Sequence, residues 1–168
     1  ELGHNLGLTH GGTDHNNYKP NYISVMNYLF QTTGISTPTG IQFDYQRFNL
    51  PALDENNLSE PLGLNASPEW NGYSTWYHCT NSYTRKESLV TPIDWNCDDY
   101  ATDTVSGDVN RDLSLSVLTS QNNWENINFG GSGNIGLGSR SLIRRITPEV
   151  LEEELTWEQH LNLTETKN

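Results

Sequence analysis

Glu1, His4, Gly7 and His10 recur at every third position in the opening stretch ELGHNLGLTHGG, and this spacing constrains the chain more than any other feature. A helix turns ~100° per residue, so six positions rotate a side chain through about 600°. On a continuous helix His10 therefore points roughly 240° away from His4. The two imidazoles share a target only if the helix ends between them. Gly7 stands where that break belongs, because glycine adopts positive φ without steric penalty. ELGHNLG, with Leu2 and Leu6 four apart, reads as the end of a short helix. HNLGLTH then reads as helix, turn and a second imidazole returning to the first.

Glu1 and His4 keep the i, i+3 spacing of the acid and second histidine in H-E-x-x-H, a helical motif that holds zinc. Sixteen residues after His10 comes SVMNY, which contains the chain's single methionine, Met26. E-x-x-H-x-x-G-x-x-H followed by a methionine turn resembles the metzincin zinc proteases. The resemblance covers residues 1–65. It implies that His4 and His10 ligate Zn2+, that Glu1 is the general base, and that Met26 forms an apolar floor beneath the histidines. It also implies that Tyr28, two residues after Met26, sits near the metal and stabilises the oxyanion. Gly11 follows the last histidine where reprolysins carry Asp, serralysins Pro and astacins Glu. HGGTDHNNYKPNYISVMNY is most similar to secreted bacterial or archaeal members outside those groups, and FDYQRF is similar to serralysin-type sequences.

In that family the first zinc histidine immediately precedes the glutamate, and here Glu1 is the first residue. The expectation is a fragment of a longer protease, inactive alone because a ligand and one wall of the cleft lie upstream. His15, His78 and His160 have no comparable context and read as ordinary surface or core residues.

A second signal is acidic. DWNCD (94–98) and DVNRD (108–112) both read D-x-N-x-D. Ca2+ takes six to eight oxygens, and that alternation turns three side chains inward from one loop. Asp94, Asn96 and Asp98 form one candidate set, and Asp108, Asn110 and Asp112 the other, with Asp103 as a bridge. The loops resemble those of dockerins, EF-hands and thrombospondin type 3 repeats, which implies a structural Ca2+. Both depart from an EF-hand, which wants Gly at the sixth position and Glu at the twelfth. The competing reading is a pair of hydrogen-bonded Asx turns without metal.

The chain carries 21 acidic and 9 basic residues, a net charge of −12, which argues against nucleic acid as a partner. No stretch approaches the ~20 apolar residues of a membrane span. Cys79 and Cys97 are not a C-x-x-C pair. Outside the cell they pair and close a loop worth roughly 3 kcal/mol in chain entropy; in the cytosol they stay free thiols. The secreted character of the resembled proteases favours the disulfide. NLS, NAS and NLT at Asn57, Asn65 and Asn162 match glycosylation acceptors by chance in a chain this rich in Asn. Trp70, Tyr73, Trp76 and Tyr77 read as packing rather than a carbohydrate platform.

With 33% hydrophobic residues, 14 Gly and 7 Pro, the expected body is loop-rich. The fold class expected is α+β: the C-terminal subdomain of a metzincin catalytic domain, with a short active-site helix end, a Met-turn and one helix, plus a loop-rich calcium-binding segment. The expected divisions are 1–66 for the catalytic part, 67–130 for the aromatic and calcium-loop segment, and 131–168 for a Gly/Ser linker and terminal helix. Within these, 32–40 reads as a loop and 53–64 as one helical stretch stopped by Pro61 and Gly63. Residues 69–79 read as a strand or hairpin, and TSQNNWENI as a short helix. Thr147 and Pro148 read as the start of the last helix. The function expected is a secreted zinc metalloendopeptidase acting on protein or peptide substrates. The alternative is a non-catalytic, calcium-dependent interaction or adhesion module carrying protease remnants.

Overall fold

The computed structural model describes residues 2–79 and 84–128. Glu1, the linker and the terminal helix expected over 131–168 lie outside the described residues. The fold is mixed, with few short helices and antiparallel sheets. Helix α1 spans Leu2–Asn5 and α2 spans Tyr28–Gln31. Strands β1 (Ile35–Thr37), β2 (Gly40–Gln42), β3 (Leu53–Asp54) and β4 (Leu58–Ser59) follow. Then come β5 (Ser74–His78), β6 (Thr84–Ser88), β7 (Thr104–Val105), β8 (Val117–Leu118) and helix α3 (Asn123–Asn126). One four-stranded sheet has the order β2-β1-β5-β6, and β3–β8 and β4–β7 form two separate pairs.

Two local expectations are corrected. The segment 32–40 is not a plain loop: β1 and β2 make a hairpin in register Ile35↔Gln42 and Thr37↔Gly40. The segment 53–64 is not a helix. Its leucines, Leu53 and Leu58, are five apart and lie ~140° apart on a helix, so no common face exists. Each instead heads a period-two unit, L-x-E, whose Leu and Glu are both buried (Leu53 with Glu55, Leu58 with Glu60). Leu53 pairs with Leu118, and Leu58 with Val105. These pairings tie residues before position 66 directly to the segment after it.

The 69–79 region forms a hairpin with the strand that follows, from Ser74↔Ser88 to His78↔Thr84. Trp70 and Tyr77 are buried, and Tyr77 packs edge-on against Trp95 at 5.0 Å. Cys79 and Cys97 form a disulfide that anchors the end of β5 to the first acidic loop.

The larger core gathers Ile23, Phe30, Ile35, Leu58, Trp95 and Leu118, with other apolar neighbours, between the sheet and the paired short strands. A smaller core of Leu8, Tyr22 and Met26 lies under α1. The chain beyond β8 clasps this smaller core. The Asn128 amide donates to the Leu6 carbonyl at 2.9 Å, and Asn123 Nδ2 donates to the Tyr22 hydroxyl at 2.7 Å. Lys19, fully buried, donates to the Gly11 carbonyl at 2.8 Å and pairs with Asp14 at 2.6 Å. Burial lowers its pKa, and Asp14 opposes that shift.

Candidate metal centre

Helix α1 ends at the break required of it. Gly7 has φ +80°, and the Gly7 amide closes the turn on the His4 carbonyl at 2.9 Å. The chain then doubles back, bringing the His4 and His10 rings to 4.6 Å between centroids, edge to face. Their Nε2 atoms stand 3.2 Å apart.

The remaining ring nitrogens decide how that contact is read. His4 Nδ1 lies 3.0 Å from the Leu8 carbonyl, and His10 Nδ1 lies 2.5 Å from the Met26 carbonyl. A carbonyl only accepts, so each Nδ1 carries the hydrogen. In the neutral imidazole a protonated Nδ1 makes Nε2 the accepting nitrogen, the one through which an imidazole can ligate a metal. Two nitrogens at ~2.0–2.1 Å from a tetrahedral zinc lie ~3.3–3.4 Å apart, close to the observed separation. Backbone carbonyls holding the outer nitrogens are the usual way a protein orients histidine ligands.

Met26 is buried and lines the same cleft as the pair. Its fit is tight against Gly3: a Cβ on Gly3 would sit 2.1 Å from Met26 Sδ. Only glycine permits this approach, and sequence spacing had not singled out Gly3. The pair opens onto a cleft of about 190 Å³ lined by Leu2, Val25, Gln31 and Tyr45 among others, with no Asp, Glu, Lys or Arg among the described lining residues. Tyr28 caps the site from α2, its ring 4.4 Å from that of His10. Asn27 starts α2: its side-chain oxygen accepts from the Leu29 amide at 3.1 Å, while its Nδ2 donates to the Lys19 and Tyr22 carbonyls. This buried asparagine fixes the Met-turn to the loop behind His10.

Among the described residues no group of three or more His, Cys, Asp or Glu side chains is arranged to hold a metal ion. The histidines are a pair. Glu1 lies outside the described residues. His15 is exposed, and His78 is buried in β5 beside Thr84, with its pKa brought down to about 3 by burial and by Arg111.

The two acidic loops are built alike. Asp94 accepts from the amides of Asp98 and Asp99, and Asp108 from those of Asp112 and Leu113. Asn96 donates to Asp98, and Asn110 to Asp112. Positive φ falls at equivalent places, Cys97 (59°) and Asp99 (74°) in one loop, Arg111 (58°) and Leu113 (67°) in the other. Asp99 and Leu113 thus take the conformation that glycine holds at the sixth position of an EF-hand. Arg85 pairs with Asp94 and Asp99, each at 2.9 Å. Asp103 is exposed and bonds to Thr102; the hydrogen bonds of neither loop include its side chain.

Sequence spacing missed two buried carboxylates behind these loops. Glu60 accepts from the amides of Asn96 and Asp103. Glu55 accepts from those of Val109 and Ser116. Burial raises the Glu55 pKa against those two amides, and Asp108 and Asp112 push the same way. Asp112 is held low: burial opposes, but hydrogen bonds from Ser114 and Asn110 prevail. The repeated L-x-E at 53–55 and 58–60 was the available signal.

Among the described residues no helix is long and apolar enough to cross a membrane. Comparison with protein-family models, curated proteins and solved structures finds no match to this chain.

Proposed function

We propose that the chain carries part of the catalytic centre of a secreted, zinc-dependent metalloendopeptidase of the metzincin type. One observation carries the reading: the Nε2 atoms of His4 and His10 stand 3.2 Å apart, each ring held by a carbonyl on its outer nitrogen. His4 and His10 would hold the zinc as two of its ligands. When bound, zinc acidifies its water toward pH 7 and polarises the scissile carbonyl. Glu1 takes a proton from the attacking water and returns it to the leaving amine. Tyr28, its ring packed on His10, donates its phenol hydrogen to the developing oxyanion. The peptide C–N bond breaks, a C–O bond forms, and no acyl-enzyme arises. The cleft walls bind the peptide through uncharged side chains.

The twin loops support structural Ca2+ in the same protein, because each places two carboxylates and an asparagine in one turn. The disulfide suits the oxidising compartment where such sites fill. Those loops also favour the second reading, a calcium-dependent interaction module. The residue upstream of Glu1 separates the two: histidine there belongs to the enzyme alone. The functional test is Glu1→Ala in the full-length gene product. Peptide cleavage is lost while zinc content stays at one per chain; retained turnover removes the base assignment.

A further inference from the structure

We propose that Asn17 and Tyr18 are positioning residues for the Tyr28 phenol, a role that rests on the reading of Tyr28 above. Tyr18 has φ 58°, a left-handed conformation that an aromatic residue rarely adopts. Such a conformation persists only where the surroundings over-determine it, and it concentrates at functional sites. Here two contacts fix it. The Asn17 side-chain oxygen accepts from the Tyr18 amide at 2.8 Å and from the Tyr28 amide at 3.0 Å, so one carboxamide locks both backbones together. The Tyr18 ring meets the Tyr28 ring edge-on, with centroids 5.4 Å apart. On its other side Tyr18 lies 6.2 Å from the His78 ring, itself buried and bonded to Thr84. The rings thus run His78, Tyr18, Tyr28, His10, from strand β5 to the histidine pair.

The division of labour is clear. Asn17 sets where the Tyr28 backbone begins α2, and Tyr18 blocks the rotation that would carry the Tyr28 ring away from His10. A phenol that must meet an oxyanion at hydrogen-bond distance depends on both, since small displacements weaken such contacts steeply.

Tyr18→Gly is the test variant: glycine accepts φ 58° without strain, so the backbone is kept and only the ring is removed. In the full-length gene product, kcat falls about tenfold with KM unchanged, and Tyr18→Phe restores it. In a Tyr28→Phe background the same change adds no further loss, because the ring acts through that phenol. A second readout needs no catalysis. In the 168-residue chain, nuclear Overhauser cross-peaks between the Tyr28 and His10 rings vanish in Tyr18→Gly. Losses that multiply in the double variant, or cross-peaks that persist, overturn the clamp. Full turnover in Tyr28→Phe alone overturns the phenol's role, and the clamp's purpose with it.

Discussion

Replacing Gly3 with alanine sets two physical effects against each other. Gly3 lies in α1, where alanine ordinarily stabilises a helix by about 1 kcal/mol. Packing opposes this. The new methyl would stand 2.1 Å from Met26 Sδ, 3.1 Å from Met26 Cε and 3.3 Å from Tyr45 Cε1. The first distance lies far inside van der Waals contact, and Met26 is only 5% exposed, so it has little room to retreat. Overpacking of this kind costs about 1–3 kcal/mol, which exceeds the propensity gain from one residue in a four-residue helix. Gly3→Ala therefore lowers stability in urea or thermal unfolding and weakens metal binding, since the His10 ring hangs from the Met26 carbonyl. Met26→Ala alone also destabilises, by about 2–5 kcal/mol, through the cavity it leaves. The double variant loses less than the sum, because the methyl fills part of that cavity; a coupling of at least about 1 kcal/mol is expected. A stabilised Gly3→Ala, or strictly additive losses, would refute the packing of Met26 against Gly3.

Other predictions concern strain, protons and ions. Leu113 is 96% exposed at φ 67°, so Leu113→Gly removes a left-handed penalty of about 1 kcal/mol and raises the unfolding midpoint. His78 has a folded pKa near 3 against an ordinary 6.5, so the unfolded chain binds its proton first as pH falls. Its contribution to stability is intact above pH 6.5 and drains away below it, by about 2 kcal/mol at pH 5. His78→Phe flattens that part of the pH profile relative to the parent; an unchanged slope counts against the burial of a neutral ring. Saturating Ca2+, at about 100 times Kd, adds about 2.7 kcal/mol of stability. Asp94→Asn and Asp108→Asn each reduce the gain, and an indifferent melting curve would leave the loops as metal-free Asx turns.

How much of this was legible depended on distance along the chain. The break at Gly7 and the return of His10 follow from spacing within ten residues, where helix geometry does the arithmetic, whereas the role expected of Met26 came only from the family resemblance. The disulfide needed only two cysteines and a compartment argument. The 53–64 segment defeated a helical reading because its strands are two residues long, too short for alternation to register against the turn residues between them. What sets their structure lies 45 to 65 residues away, in β7 and β8. The hairpin at 35–42 hid behind Thr, Gly and Pro, which mark turns as readily as loops. Glu55 and Glu60 passed unnoticed because a buried carboxylate is rare, and its reason is the set of amides presented by distant loops. Asn17 and Tyr18 were invisible for the same reason: their partners are Tyr28 and His78, brought together only by the fold.

The account turns on whether His4 and His10 share one ion, and X-ray absorption at the zinc edge addresses that directly. With zinc added to the 168-residue chain, the account predicts two imidazole nitrogens at ~2.0–2.1 Å, with that shell halved in His4→Ala and in His10→Ala. A shell of oxygens alone, unchanged by either substitution, would contradict it.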